Sequence, residues 1–206
     1  MEGGLRERKK QRTKRAVMDI ALRLFAENGF DATTVDEICA EAEISPSTFF
    51  RYFPTKEAAA FPDEDERVAV VEGALRARPA DEPLNATIRR SALALVEHDL
   101  DAKGDLQARI ELMAREPAVL AYATQRQNEA AEIFTRIVAE QLGADLRTDL
   151  RPRLVVNAAF AAVGAAWTAW INGEAGGDLH ALVNQAFDLM DAGLAVVALT
   201  PGPDGR

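Results

Sequence analysis

Two helix-start signals stand close together in the N-terminal quarter of the chain, and they constrain the fold more than any other feature. Thr34 is followed three residues later by Glu37, which is the spacing of a capping box at the start of a helix. Ser45 followed by Pro46 combines an N-cap residue with proline at the first helical position. The sequence therefore predicts two short helices joined by a tight turn at Glu43–Ile44.

A longer amphipathic helix precedes these two. From Arg12 onward, apolar residues recur at helical spacing. They are Val17, Ile20, Ala21, Leu24 and Phe25. Asn28–Gly29 ends the helix, because glycine readily adopts the left-handed conformation that follows a helix C-terminus. Three helices in this order, with a tight turn before the third, are typical of a helix-turn-helix unit.

Helical spacing continues to the C-terminus, and no sustained alternation of apolar and polar residues favours a strand. We predict further helices at about 65–77, 84–101, 104–115, 118–142, 150–172 and 179–199, separated by segments that contain proline or glycine. The predicted fold is all-α. A helix-turn-helix domain covers residues 1–60, a second helical domain covers 61–200, and 201–206 form a disordered tail.

Positive charge is concentrated at the N-terminus. The chain carries a net charge of −9, yet residues 1–56 hold ten basic against nine acidic residues. Seven of those basic residues lie between Arg6 and Arg15. A basic head on an acidic body can direct one end of the protein at a polyanion. A basic tail that only aids solubility explains the charge equally well.

The predicted third helix carries the chemistry of DNA recognition. Ser45, Pro46, Ser47 and Thr48 are compact residues at its N-terminus, where side chains can approach base edges in the major groove. Tyr52 and Lys56 can reach backbone phosphates. Taken alone, these residues have ordinary explanations, since serine and threonine cap many helices and a tyrosine beside Phe53 can be packing.

The segments LFAENGF, TTVDEI, ISPSTFFRYF and FPTKE together resemble the DNA-binding domain of TetR-family transcriptional regulators. The resemblance implies an all-helical regulator whose N-terminal helices bind operator DNA and whose C-terminal domain dimerises and binds a small inducer. It also implies phosphate contacts at Thr34, Tyr52 and Lys56, and base-edge contacts at Ser45, Pro46, Ser47 and Thr48.

Two positions depart from the family pattern. Pro46 stands where many members have Lys or Arg, and Phe50 stands where many have Tyr, so a guanine contact and a phosphate hydrogen bond are lost. We therefore expect specificity to depend on Ser47, Thr48 and Arg51. A flexible basic arm over residues 6–15 is expected to enter the adjacent minor groove.

The last two predicted helices are the most apolar part of the chain, and they predict a four-helix bundle across the two-fold axis of a homodimer. Burial against the protomer's own core is the alternative. Dimerisation would place two recognition helices on a palindromic operator. The resemblance implies a ligand-responsive repressor that is released by a small hydrophobic or acyl-type inducer, and FFRYFPTKE with the acidic run after it looks like an actinobacterial branch that responds to acyl-CoA-like ligands.

Eight residues are candidates for lining the ligand pocket, where most are apolar and one arginine could pair with an anion. They are Arg109, Met113, Tyr122, Phe134, Asn157, Phe160, Trp167 and Trp170. Each could equally be ordinary core packing.

Other classes of function find little support. There is no Gly-rich phosphate loop, nucleophile elbow or metal-ligand spacing, so we expect no enzyme activity, no metal and no cofactor. The lone Cys39 fits a buried position in a cytoplasmic protein. The apolar stretch 154–171 is rich in alanine, which favours a soluble core over a membrane span. The remaining alternative is a helical protein-interaction module without specific DNA binding.

Overall fold

The computed structural model describes residues 2–61, 63–101, 103–174 and 176–193, and every regular element within these ranges is a helix. The helices are α1 (Glu2–Asn28), α2 (Val35–Glu41), α3 (Pro46–Tyr52), a short 3₁₀ helix (Glu57–Ala60), α4 (Glu64–Arg76), α5 (Leu84–Asp101), α6 (Lys103–Arg115), α7 (Pro117–Leu142), α8 (Arg151–Ile171) and α9 (Leu179–Ala192). The predicted all-α fold is confirmed.

Two helix ends differ from the prediction. The first helix begins at Glu2 instead of Arg12, so the basic segment is helical and the expected flexibility of this arm is wrong, whereas its contact with the minor groove stays a prediction. The last helix ends at Ala192, because Gly193 takes a positive φ of 74° that breaks the helical backbone. The predicted continuation to residue 199 and the predicted tail lie outside the described residues.

The chain packs as two compact units, of which the first comprises residues 1–68 and 99–130. In this unit α1 packs against α2, the 3₁₀ helix and α6, and α2 packs against α3. Its core includes the fully buried side chains of Val17, Ile38 and Phe49. Cys39 is buried in the same core, as predicted. This core fixes the relative positions of the three N-terminal helices.

The second unit comprises residues 69–98 and 131–206. Here α9 packs along α8, and Leu179, Val183 and Phe187 are the apolar stripe that α9 buries. Two ion pairs join α5 to α9, since Arg89 contacts Asp188 at 2.7 Å and Asp191 at 2.9 Å. The predicted division into a DNA-binding domain over residues 1–60 and a second domain over 61–200 assigns functions. The two packing units do not test it, so it stays a prediction.

Candidate nucleic-acid interface

The turn between α2 and α3 is made by a residue in the left-handed conformation. Glu43 has a φ of 53°, which is uncommon for a residue other than glycine. The amide of Ile44 donates to the carbonyl oxygen of Cys39 at 3.0 Å, which closes the turn. The turn predicted at this place is confirmed, and it separates α2 from α3 as in a helix-turn-helix unit.

A capping box opens α2 as predicted. The Glu37 amide donates to the Thr34 hydroxyl oxygen at 3.2 Å, and the Thr34 amide donates to the Glu37 carboxylate at 2.7 Å. These bonds from Thr34 hold the pKa of the Glu37 carboxyl below its ordinary value. The Thr34 hydroxyl also donates to Glu37 at 2.9 Å, so it would have to exchange that partner to donate to a phosphate.

The N-terminus of α3 is closed by two hydroxyl groups. The Ser45 hydroxyl oxygen accepts from the Thr48 amide at 3.1 Å and lies 3.0 Å from the Thr48 hydroxyl oxygen. Ser45 is therefore the N-cap, with Pro46 at the first helical position. Thr48 is half-buried, whereas Ser45, Pro46 and Ser47 are exposed. Compact, mostly polar side chains thus stand at the N-terminal end of α3.

One side of α3 is fixed in the core and the other faces solvent. Phe49 and Phe53 are 0% and 1% exposed, and their ring centroids are 5.2 Å apart. Phe49 packs inward, as its spacing of one turn from Phe53 in the sequence predicts. Phe50, by contrast, is 54% exposed, and the sequence had predicted no contact with DNA for it. Its helical spacing from Pro46 and Ser47 was the available signal, because residues three and four apart share a face.

The C-terminal end of α3 brings together a cation and a phenol. A guanidinium nitrogen of Arg51 lies 3.4 Å from the Tyr52 hydroxyl oxygen, and the guanidinium carbon stands 4.9 Å from the ring centroid. Arg51 is exposed and Tyr52 is half-buried. Both groups can donate hydrogen bonds, so this end of the helix suits an anionic backbone.

Lys56 lies between α3 and the 3₁₀ helix, and its ammonium group points into the loop before α2. Its Nζ donates to the carbonyl oxygen of Phe30 at 2.6 Å and to that of Thr33 at 3.0 Å. It also stands 4.1 Å from the centroid of the Phe30 ring. An ammonium group has three donors, so one remains for the predicted phosphate contact.

The second unit contains an apolar cavity of about 70 Å³. It is lined by Val71, Leu75, Ile88, Ser91, Ala92, Leu95, Phe134, Val138, Val156, Ala159, Phe160 and Val163. The Ser91 hydroxyl donates to the Thr87 carbonyl oxygen at 2.8 Å, which commits its hydrogen within α5. The cavity therefore suits an apolar group.

The structure separates the eight predicted pocket residues. Phe134 and Phe160 line the cavity, with ring centroids 6.1 Å apart. Asn157, Trp167 and Trp170 also lie in the second unit but do not line it.

The other three predicted pocket residues, Arg109, Met113 and Tyr122, belong to the first unit. Met113 and Tyr122 pack against the helix-turn-helix core. Arg109 contacts the Asp63 carboxylate at 3.1 Å, and both side chains are more than nine-tenths buried. Asp63 supplies the anion that Arg109 contacts in this structure, and the predicted pairing of Arg109 with a ligand anion stays a prediction. Helical spacing cannot tell such residues apart, because apolar faces of either unit look alike in sequence.

The helix α8 leaves an apolar face exposed. Leu154 is 62% exposed, Leu150 just before the helix is 68% exposed, and Ala161, Gly164 and Ala165 are also exposed at helical spacing along α8. A Cβ added at Gly164 would meet nothing within 4 Å. By length and composition α8 could also cross a membrane.

Two family models match the chain. Residues 17–58 match the model of bacterial regulatory proteins of the tetR family, and residues 82–195 match the model of the MftR C-terminal domain. The first match contains α2, α3 and the Thr34, Ser45 and Tyr52 side chains described above.

Alignments with two similar proteins cover most of the chain. The chain is 39% identical over 167 residues to the HTH-type transcriptional regulator TcmR of Streptomyces glaucescens, which covers 78% of this chain and 74% of TcmR. It is 28% identical over 187 residues to the transcriptional regulator MftR of Mycobacterium tuberculosis, which covers 91% of this chain and 93% of MftR.

Solved structures share the fold. A TetR-family regulator from Syntrophomonas wolfei superposes with a TM-score of 0.63 at 14% identity, covering 92% of this chain and 98% of that one. A TetR-like regulator from Rhodococcus sp. RHA1 gives a TM-score of 0.51 at 20% identity, covering 89% of this chain and 96% of that one.

Proposed function

The chain belongs to the TetR family of bacterial transcriptional regulators, and from this premise we propose that it is a homodimeric repressor controlled by a small apolar ligand. Regulators of this family have an N-terminal DNA-binding domain, and they are not enzymes. The observation that carries the proposal is the combination, in one such chain, of an exposed polar recognition helix and an apolar cavity.

The DNA-binding role is assigned to residues 1–60. Base-edge contacts are proposed for Ser45, Pro46, Ser47, Thr48 and Arg51, and phosphate contacts for Thr34, Tyr52 and Lys56. The exposure of Ser45, Pro46, Ser47 and Arg51 supports this assignment, because a recognition helix must present side chains to base edges. One short helix buries too little surface for tight binding at cellular salt concentrations, so a palindromic operator bound by two protomers is proposed.

The dimer is proposed to form through the exposed face of α8 together with α9, within the domain 61–200. Large apolar side chains such as Leu154 gain free energy when a second copy removes them from water. Small residues such as Ala161 and Gly164 allow two helices to approach closely. A soluble, cytoplasmic regulator would cover this face with its partner protomer and not with lipid.

The ligand is proposed to place an apolar group in the cavity lined by Phe134 and Phe160. Pockets for whole drug-sized ligands hold roughly 300–1,000 Å³. The cavity of about 70 Å³ is smaller, so it suits an alkyl or acyl chain or must widen on binding. Such widening would shift the population between two states, and this requires that the ligand bind them with different affinity.

Selection of genomic DNA fragments by the full-length protein, with and without a cellular metabolite extract, tests the proposal. We expect enrichment of a palindromic sequence and its release by the extract. Thermal-shift measurements with fatty acids and acyl-CoAs of increasing chain length then identify the ligand class. Enrichment of no sequence would favour the alternative of a protein-interaction module, and stabilisation by none of these compounds would remove the acyl ligand.

A further inference from the structure

We propose that Phe50 determines specificity by packing against the 5-methyl group of a thymine in the major groove of the operator. This inference rests on the proposed DNA-binding function and deepens it. It assigns a base-reading role to a residue that, compared with a tyrosine at the same place, has lost the means to bind a phosphate through a hydroxyl group.

Exposure is the first observation that supports this role. Phe50 is 54% exposed, although its neighbours Phe49 and Phe53 are buried at 0% and 1%. Burial of an exposed phenylalanine by a binding partner is favourable, because it removes apolar surface from water. On α3 the partner that approaches is the DNA major groove, if the proposed function holds.

Position on the helix is the second observation. Ser47 precedes Phe50 by three residues and Pro46 precedes it by four, so all three share one exposed face of α3. Arg51 follows directly and is also exposed. In sequence Phe50 therefore stands among the residues proposed to approach base edges, and it shares an exposed face of α3 with two of them.

The ring is also held in place. The centroids of Phe49 and Phe50 are 5.4 Å apart with an interplanar angle of 84°, which is a favourable edge-to-face arrangement. Phe49 is fixed in the core, so this contact restrains the orientation of the exposed ring. A restrained ring loses less conformational entropy on binding than a free one.

The chemistry of the major groove then selects the base. A phenyl ring has no hydrogen-bonding group, so it discriminates through apolar contact. The thymine methyl is the apolar group that base pairs present in the major groove, and phenylalanine is among the side chains that contact it. Cytosine presents an amino group at the neighbouring edge, whose burial against a ring without a hydrogen bond is unfavourable.

Deoxyuridine substitution tests the proposal, because it removes the methyl group and leaves base pairing intact. Each thymine of the selected operator is replaced in turn, symmetrically in both half-sites, and the dissociation constants of the wild type and of Phe50→Ala are measured by fluorescence anisotropy. We expect one position at which the wild type loses roughly fourfold affinity per methyl group, and at which Phe50→Ala loses nothing further.

The outcomes separate this inference from the proposed function. The wild type could bind specifically while every deoxyuridine effect persists in Phe50→Ala. That result would overturn the role of Phe50 and leave the proposed function intact. Absence of specific DNA binding by the wild type would overturn both. Phe50→Gln serves as a second variant with a soluble side chain, and an unchanged melting temperature shows that either variant is folded.

Discussion

The ammonium nitrogen of Lys56 lies 2.6 Å from the carbonyl oxygen of Phe30 and 4.1 Å from the centroid of its ring. A second hydrogen bond to the carbonyl oxygen of Thr33 places the same cation next to Thr34, the N-cap of α2. Lys56 therefore joins the segment after α3 to the loop that precedes α2. The side chain that the family resemblance assigns to a phosphate also stabilises the domain that binds the DNA.

Replacement of Lys56 by methionine should lower the stability of the protein by about 1–3 kcal/mol, because two partly buried carbonyl groups lose a charged donor. Thermal or urea unfolding measures this loss. Lys9→Met, which removes an exposed lysine from α1, is the matched control and should leave the unfolding midpoint unchanged. An equal midpoint for both variants would contradict the structural role of Lys56.

The DNA contact of Lys56 has a separate readout. If its remaining donor binds a phosphate, Lys56→Met should make the dependence of log affinity on log salt shallower by about one. A loss of affinity with an unchanged salt slope would mean that Lys56 acts on DNA only by holding the loop.

The buried pair of Asp63 and Arg109 should be sensitive to removal of either partner. Arg109→Met leaves the Asp63 carboxylate buried without that cation, so we expect a loss of about 3–5 kcal/mol in unfolding free energy. The double variant Asp63→Leu with Arg109→Met should lose less than the sum of the single variants. Arg147→Met is the control, since Arg147 is 88% exposed and its pair with Asp145 should contribute nothing measurable. Additive effects would show that the two residues do not act as a pair.

Glu82 should give the protein an acid-sensitive contribution to stability. Hydrogen bonds from Arg90 and Thr87 lower the pKa of its carboxyl from 4.5 to about 2. A carboxyl whose pKa is depressed in the folded state stabilises that state above pH 4.5, and the contribution is lost as the pH falls toward 2. The difference in melting temperature between wild type and Glu82→Gln should therefore be present at neutral pH and shrink across this window. Arg90→Gln should act in the same direction, and a difference that grows on acidification would contradict the assignment.

The exposed face of α8 should control the oligomeric state. Ala161→Arg places a charge in the proposed interface, so we expect sedimentation to report a monomer of 22.4 kDa where the wild type gives twice that mass. The operator affinity of Ala161→Arg should fall because the dimer is lost. Ala86→Arg makes the same change at an exposed position of α5 and should remain dimeric. A monomeric wild type would remove the proposed dimer altogether.

The cavity should be closed by a larger side chain from its wall. Ala159 lines the cavity, so Ala159→Leu should fill part of it and stabilisation by acyl compounds in a thermal-shift assay should be lost. Operator binding should persist and no longer respond to the ligand. Ala86→Leu, outside the cavity, is the control and should keep the ligand response. Equal ligand shifts for both variants would place the ligand elsewhere.

Local sequence determined the helices and their caps. Thr34 with Glu37, and Ser45 with Pro46, open α2 and α3 as predicted, because a capping interaction is completed within three or four residues of the chain. Helical spacing likewise identified Phe49 as a core residue, since the side of a helix that a residue occupies follows from its position in the turn. The basic segment over residues 6–15 is helical where a flexible arm was predicted, because a charge pattern alone does not distinguish a helical extension from a free arm.

Only the tertiary structure decided which distant residues meet. Asp63 and Arg109 are 46 positions apart, and Lys56 reaches a carbonyl 26 positions away. Phe134 lines the cavity whereas Tyr122, on the same helix α7, packs in the other unit. Such contacts depend on how whole helices pack against one another, and an apolar face shows that a side chain will be buried without showing what will cover it.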